Sequence, residues 1–194
     1  MAGSLILNNQ YLQTGDPTTV HEASSVLYNL GSLGHVITVA NSTLFSPGLA
    51  PRIYQFVLRS ATDAATIATA GSIAFWKSYD NFVVTSDASD AYATTACNHV
   101  AGVFPGILVA AGEYGYIQVG GVGPVLLKGS PTSAADTTGK PIVAESTVDL
   151  TSDCLADWND NAVQIYAKAL TAKDAGSIGT DVCEALLFPT RHSW

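Results

Sequence analysis

The chain has 194 residues, 47% of them hydrophobic and only 12% charged, with a net charge of −8. That much apolar content supports a sizeable core and argues against wholesale disorder. The 8 Lys and Arg are scattered, so the clustered cations that nucleic acid or an anionic membrane surface requires are missing.

The surface is left to Ser, Thr, Asn, Gly and Ala. This suits a protein packed against neighbours better than a free monomer kept apart by charge. Residues 1–50 are rich in Asn, Ser, Thr and Gly and close on "SPGLAP", so they are expected to form a mostly irregular N-terminal arm. Within it, Thr19 and Glu22 have capping-box spacing, and Gly31 stands as a stop for one short helix; a loose hairpin fits the same stretch. The start "MAGSLILNNQ" lacks a basic segment and a long apolar run, so no signal peptide is expected. No stretch reaches the ~18 apolar residues of a membrane span.

Residues 51–194 are expected to form one β-domain. "RIYQFVLR" alternates, with Tyr54, Phe56 and Leu58 on one face. "SIAFWKSYDNFVVTSD" predicts a hairpin with Asp80 and Asn81 as the turn residues that tolerate positive φ. "SDASDAYATTAC" is compatible with a helical turn, although Ser, Asp and Thr compete with helix backbone bonds. "HVAGVFPGILVA" is an apolar run broken at Pro105-Gly106.

Next comes "AGEYGYIQVGG". Here Ala111-Gly112-Glu113 predicts a turn, and Gly115, Ile117 and Val119 share a strand face. Gly115 is expected to spare space beside a neighbour, and Gly120-Gly121 to form a second turn. The short segments "PIVAEST", "AVQIYAKALTA" and "DVCEALLFP" predict three further strands, separated by polar and acidic loops. The whole reads as an all-β fold, an antiparallel β-sandwich or barrel with an extended N-terminal arm.

Chemistry is harder to find. "GGVGPVLLKG" lacks the Gly-Lys-Ser/Thr ending of a phosphate loop, and Leu126 takes the place of the third glycine of a dinucleotide fingerprint. Asp136-Thr137-Thr138-Gly139 is one residue too long for an aspartic-protease signature and reads as a turn. No Gly-x-Ser-x-Gly elbow is present, and His21, His35, His99 and His192 sit in no local motif. Cys97 and His99 offer two metal ligands without a second pair at zinc spacing. Asp149, Asp153, Asp157 and Asp160 crowd one loop beside Asn159 and Asn161, but without the ligand order of a calcium site. Cys97, Cys154 and Cys183 are odd in number and widely spaced, and are read as reduced thiols rather than a disulfide framework. The expectation is therefore no enzyme, no cofactor, and no catalytic or metal-binding residue.

The C-terminal half, "AGVFPGILVAAGEYGYIQVGGVGPVLLKG" followed later by "AVQIYAKALTAKDAGSIGTDVCEALLFP", resembles the capsid decoration (cement) proteins of tailed bacteriophages over residues 100–190. That resemblance implies an all-β virion protein, often trimeric, bound through the major capsid protein to the outside of an icosahedral shell and assembled in the host cytoplasm. It supplies no catalytic residue. A carbohydrate- or receptor-binding β-module, such as a head-fibre base or other minor virion subunit, is the alternative. Its aromatic candidates are Trp76, Tyr79, Tyr114, Tyr116 and Trp158.

Overall fold

A computed structural model of the chain describes residues 33–34, 36–39, 51–65, 70–92, 99–106, 109–127, 138–144, 152–154, 165–171 and 181–188. Apart from one 3₁₀ turn at Ala88–Asp90, these residues are strands and the turns between them. The predicted helix after Thr19 lies outside the described residues.

Among the described residues ten strands follow in chain order: β1 (Val36–Val39), β2 (Arg52–Arg59), β3 (Ile73–Ser78), β4 (Val83–Thr85), β5 (Val100–Val103), β6 (Tyr114–Leu127), β7 (Pro141–Ala144), β8 (Ser152–Cys154), β9 (Ile165–Ala169) and β10 (Asp181–Leu187). Their pairings close on themselves. β2 pairs β4, β4 pairs β3, β3 pairs β5, β5 pairs β6, and β6 returns to β2, which makes a closed five-stranded barrel. The far end of β6 then pairs β10, and β10–β9–β7–β8 leads back to β6 through the parallel pair Leu127↔Ser152. The all-β barrel expected from the sequence is present. These pairs are antiparallel except β2–β4 and β6–β8, which are parallel.

β6 is the element both circuits share, and its 14 residues are longer than an ordinary strand. The expected turn at Gly120-Gly121 is not there: the strand runs through and changes partners instead. Gly120 still pairs Ile53 of β2, whereas Gly121 already faces Leu187 of β10. The change is made by Gly121 at φ +78°, a left-handed conformation that glycine adopts without a steric penalty. It leaves two carbonyls to be satisfied at the crossing. The buried side-chain amide of Gln118 donates to both, at 3.1 Å to Gly120 O and 3.0 Å to Val122 O. Gly123 makes room for that amide: a Cβ there would lie 2.6 Å from Gln118 Cδ. The glycines of the "GYIQVGGVG" segment thus serve a sheet-to-sheet transfer, and sequence alone reads the same glycines as a turn because both need a residue free of Cβ.

Among the described residues three apolar clusters follow from strand alternation. Val57, Ala74, Trp76, Val84, Ala101 and Ile117 fill the five-stranded barrel. Ile73 and Phe75, on the opposite face of β3, pack with Val125, Ile142, Tyr166 and Leu187 of the second circuit. Both faces of β3 and β5 are therefore buried. Tyr54, Phe56 and Tyr116 form a third cluster outside the barrel wall, covered by Leu33. Burying each such Phe or Ile contributes about 1.5–3 kcal/mol. Gly115 spares the space expected of it: a Cβ at that position would sit 2.6 Å from Val109 Cγ2.

The hairpin between β3 and β4 forms as expected, but the positive φ falls on Phe82 (+50°) rather than on Asp80 or Asn81. Packing accounts for the choice. The Phe82 ring lies directly over Gly34, where a Cβ would come 2.5 Å from Cε1. Burial of the ring against the segment leading into β1 offsets the backbone strain. The four residues of β1, inside the expected arm, pair antiparallel with β2 from Val36↔Gln55 to Val39↔Arg52.

Candidate functional site

The β3–β4 hairpin and the turn at residues 87–92 bring a set of polar and aromatic side chains together. Asp87 opens that turn by accepting from Ser89 N at 2.8 Å, and Asp90 closes it. The Asp90 carboxylate receives Lys77 Nζ at 2.6 Å, Ser60 Oγ at 2.8 Å and Thr62 Oγ1 at 3.0 Å. Lys77 also donates to Ser60 Oγ at 3.0 Å and to Thr62 Oγ1. Four side chains from three separate segments thus form one knot.

Burial opposes ionisation of Asp90, but the hydrogen bonds from Lys77, Ser60 and Thr62, with the Lys77 charge, outweigh it. They hold the carboxyl below its ordinary value. A folded-state pKa below the unfolded one stabilises the protein above the unfolded value, and that contribution is lost as pH falls through the folded one. Stability is therefore expected to drop below about pH 4. Asp90→Asn should weaken the protein at neutral pH and flatten that acid limb, which urea midpoints measured between neutral and acid pH would show. An unchanged acid limb would remove Asp90 from the account.

Beyond this knot stand the aromatics. Tyr79, at the start of the hairpin turn, meets His99 Nδ1 through its hydroxyl at 2.5 Å. Its ring lies 5.4 Å from Trp76 and 5.3 Å from Tyr92, and Tyr92 lies 5.6 Å from His99. Burial, then the neighbouring Tyr92 phenol, push the Tyr79 hydroxyl above its ordinary value. Tyr92 N donates to Trp76 O at 2.8 Å, which fixes the chain beneath the exposed Tyr92 ring.

A second polar pair lies inside the wall. Arg59 Nε meets Asp63 Oδ2 at 2.7 Å, and both side chains are buried. The guanidinium also donates to Val109 O and Ala65 O. The Asp63 carboxylate accepts from Ser86 N at 2.8 Å and Ala65 N at 3.0 Å. These bonds tie three loops to β2.

Chemically, the Ser60–Lys77 contact is the nearest approach to a nucleophile and base. Yet Ser60 is 3% exposed, its hydroxyl donates to Asp90, and Lys77 is paired with the same carboxylate. A nucleophile needs an accessible oxygen and a base free to take its proton; here the oxygen is buried and the amine is held by a carboxylate.

Gly120, Gly121 and Gly123 of "GGVGPVLLKG" lie in β6, where backbone N–H groups belong to sheet ladders, and Gly129 lies outside the described residues. His99 spends Nδ1 on Tyr79, while Cys97 and Asn98 lie outside the described residues. So do His21, His35, His192, Trp158, Asp136, Thr137, Asp149, Asp157, Asp160, Asn159 and Asn161. Asp153 is placed by its backbone in β8. Among the described residues no group of His, Cys, Asp and Glu is arranged to hold a metal, and no helix is long and apolar enough to cross a membrane. The Cys183 side chain is buried.

Of the aromatic candidates, Trp76 and Tyr116 are buried at 3% and 2% exposure and cannot meet a ligand, whereas Tyr79 and Tyr114 are half-buried. The most exposed aromatic described, Tyr92, sits in the Ser/Asp/Ala stretch that sequence reads only as a turn. No family model matches this chain, and no curated protein matches it.

Proposed function

We propose that the chain is a structural virion protein that binds the outer surface of an icosahedral phage capsid and cements adjacent capsomers, most simply as a trimer. The observation that carries this reading is how the polar side chains of the barrel are used. Arg59, Asp63, Ser60, Thr62, Lys77 and Asp90 are joined to one another and to loop backbones. They hold a closed body rigid instead of presenting a reactive group. A rigid, acidic, weakly charged body suits the outside of a shell better than its DNA-lined interior. The resemblance of residues 100–190 to decoration proteins points the same way, and the expected arm of residues 1–50 would add contact area across the shell.

Co-sedimentation with purified capsids tests this. The full chain is expected to pellet with capsids at a fixed stoichiometry and to sediment off them as a small cyclic oligomer. Deleting residues 1–32, which spares β1, should leave the barrel folded and weaken capsid binding. Failure to pellet with capsids at any protein concentration would refute the cement role. A stable monomer at micromolar concentration would refute the trimer.

A further inference from the structure

The geometry points to Tyr92 as a stacking platform for a neutral hexopyranose unit of a saccharide, with the turn at Asp80 and Asn81 supplying the polar contacts. This goes beyond the capsid role and does not depend on it.

Among the described residues, only Val36 at 49% and Tyr92 at 63% are exposed large apolar side chains. Tyr92 is exposed but not loose. Its ring rests against Tyr79 at 71° and against His99 at 59°, and its backbone is tied to Trp76. The turn before it is pinned by the Asp90–Lys77 ion pair. A ring held in place before binding loses little freedom when a ligand arrives.

The same facts choose among ligands. A protein interface buries roughly 800 Å² per partner around an apolar centre. The described rings that meet Tyr92 are those of Tyr79 and His99, neither of them exposed, and Val36 lies in β1, whose strand partner is β2. A methylated ammonium needs a cage of separated rings, but these rings touch one another at 5.3–6.0 Å. A nucleotide base could stack, yet its phosphates would meet a chain of net charge −8 and the exposed Asp80. A pyranose presents an apolar C–H face to the ring and hydroxyls at its rim. Asp80 and Asn81, both exposed and continuous with Tyr79, offer an acceptor and a donor for those hydroxyls.

Saturation-transfer NMR and calorimetry on the full chain would use oligosaccharides of glucose, galactose, mannose and N-acetylglucosamine as probes. Saturable binding of at least one, at millimolar dissociation constant or tighter, is expected. Tyr92→Ala should weaken it at least about tenfold with an unchanged melting temperature, and Tyr92→Phe should retain it. Asp80→Ala should weaken it less. No saturable binding by any of these sugars overturns the proposal, as does binding that survives Tyr92→Ala. Loss of capsid co-sedimentation in Tyr92→Ala, with sugar binding absent in the parent, would make the ring a protein contact and overturn it equally.

Discussion

Asp63→Ala is expected to cost about 3–5 kcal/mol of folding stability, the range for breaking a buried ion pair by removing one partner. The Arg59 and Asp63 side chains are 4% and 0% exposed. Without the carboxylate, the guanidinium keeps its bonds to Val109 O and Ala65 O but holds a buried charge with no counter-charge. Two backbone donors, Ser86 N and Ala65 N, lose their acceptor as well. Urea unfolding of the parent and variant measures the loss. The double variant Arg59→Met/Asp63→Leu is expected to recover much of it, because well-packed apolar residues often replace a buried pair at little cost. A loss below about 1 kcal/mol, the scale of exposed pairs, would mean that water reaches the site.

Gly121→Val is expected to prevent folding outright. The residue holds φ at +78°, which a β-branched side chain tolerates poorly. The obstacle is also steric: a Cβ would stand 2.9 Å from Arg52 Cα, and closer still to Pro51 O. Both belong to the backbone where β2 begins, so no side chain can rotate away. The control is Gly139→Ala. That glycine has nearly the same φ, +81°, but nothing within 4 Å of its Cβ position. It should lose only the conformational cost, roughly 1–2 kcal/mol. Circular-dichroism melts of the two variants separate crowding from strain. A folded Gly121→Val protein with near-parental melting would show that β6 need not pass so close to β2.

Sequence made the strands legible because alternation and turn residues are local signals. β2, the β3–β4 hairpin, the break at Pro105-Gly106, β7, β9 and β10 all fall where the pattern places them. Sequence alone ends β6 early because Gly-Gly marks a turn and a partner change alike, and only the identity of the partners distinguishes them. The positive φ of Phe82 was invisible for a similar reason, since what stabilises it is a ring packed on Gly34 far upstream. The Asp90 knot joins Ser60, Thr62 and Lys77 across two strands and could not be assembled without the pairing of β3 with β4. Tyr92 reads in sequence as one aromatic in a stretch of small residues; its placement depends on Tyr79 and His99 standing behind it.

The double duty of β6 governs the order in which the chain can fold. β2 is made early, but most of its length must wait for β6, with all of β3, β4 and β5 made in between. Such long-range pairing is slow, because loop-closure entropy is lost before the contacts form. On the ribosome the first barrel cannot shut until its last stave emerges. Even then, the second half of that stave must wait for β10, which is synthesised last. During that interval the edge of β6 from Gly121 to Leu127, with Val125 and Leu127 on it, lacks the strand it pairs with. The nascent chain is therefore at its most adhesive just before completion, when an open strand edge is prone to pair with another chain.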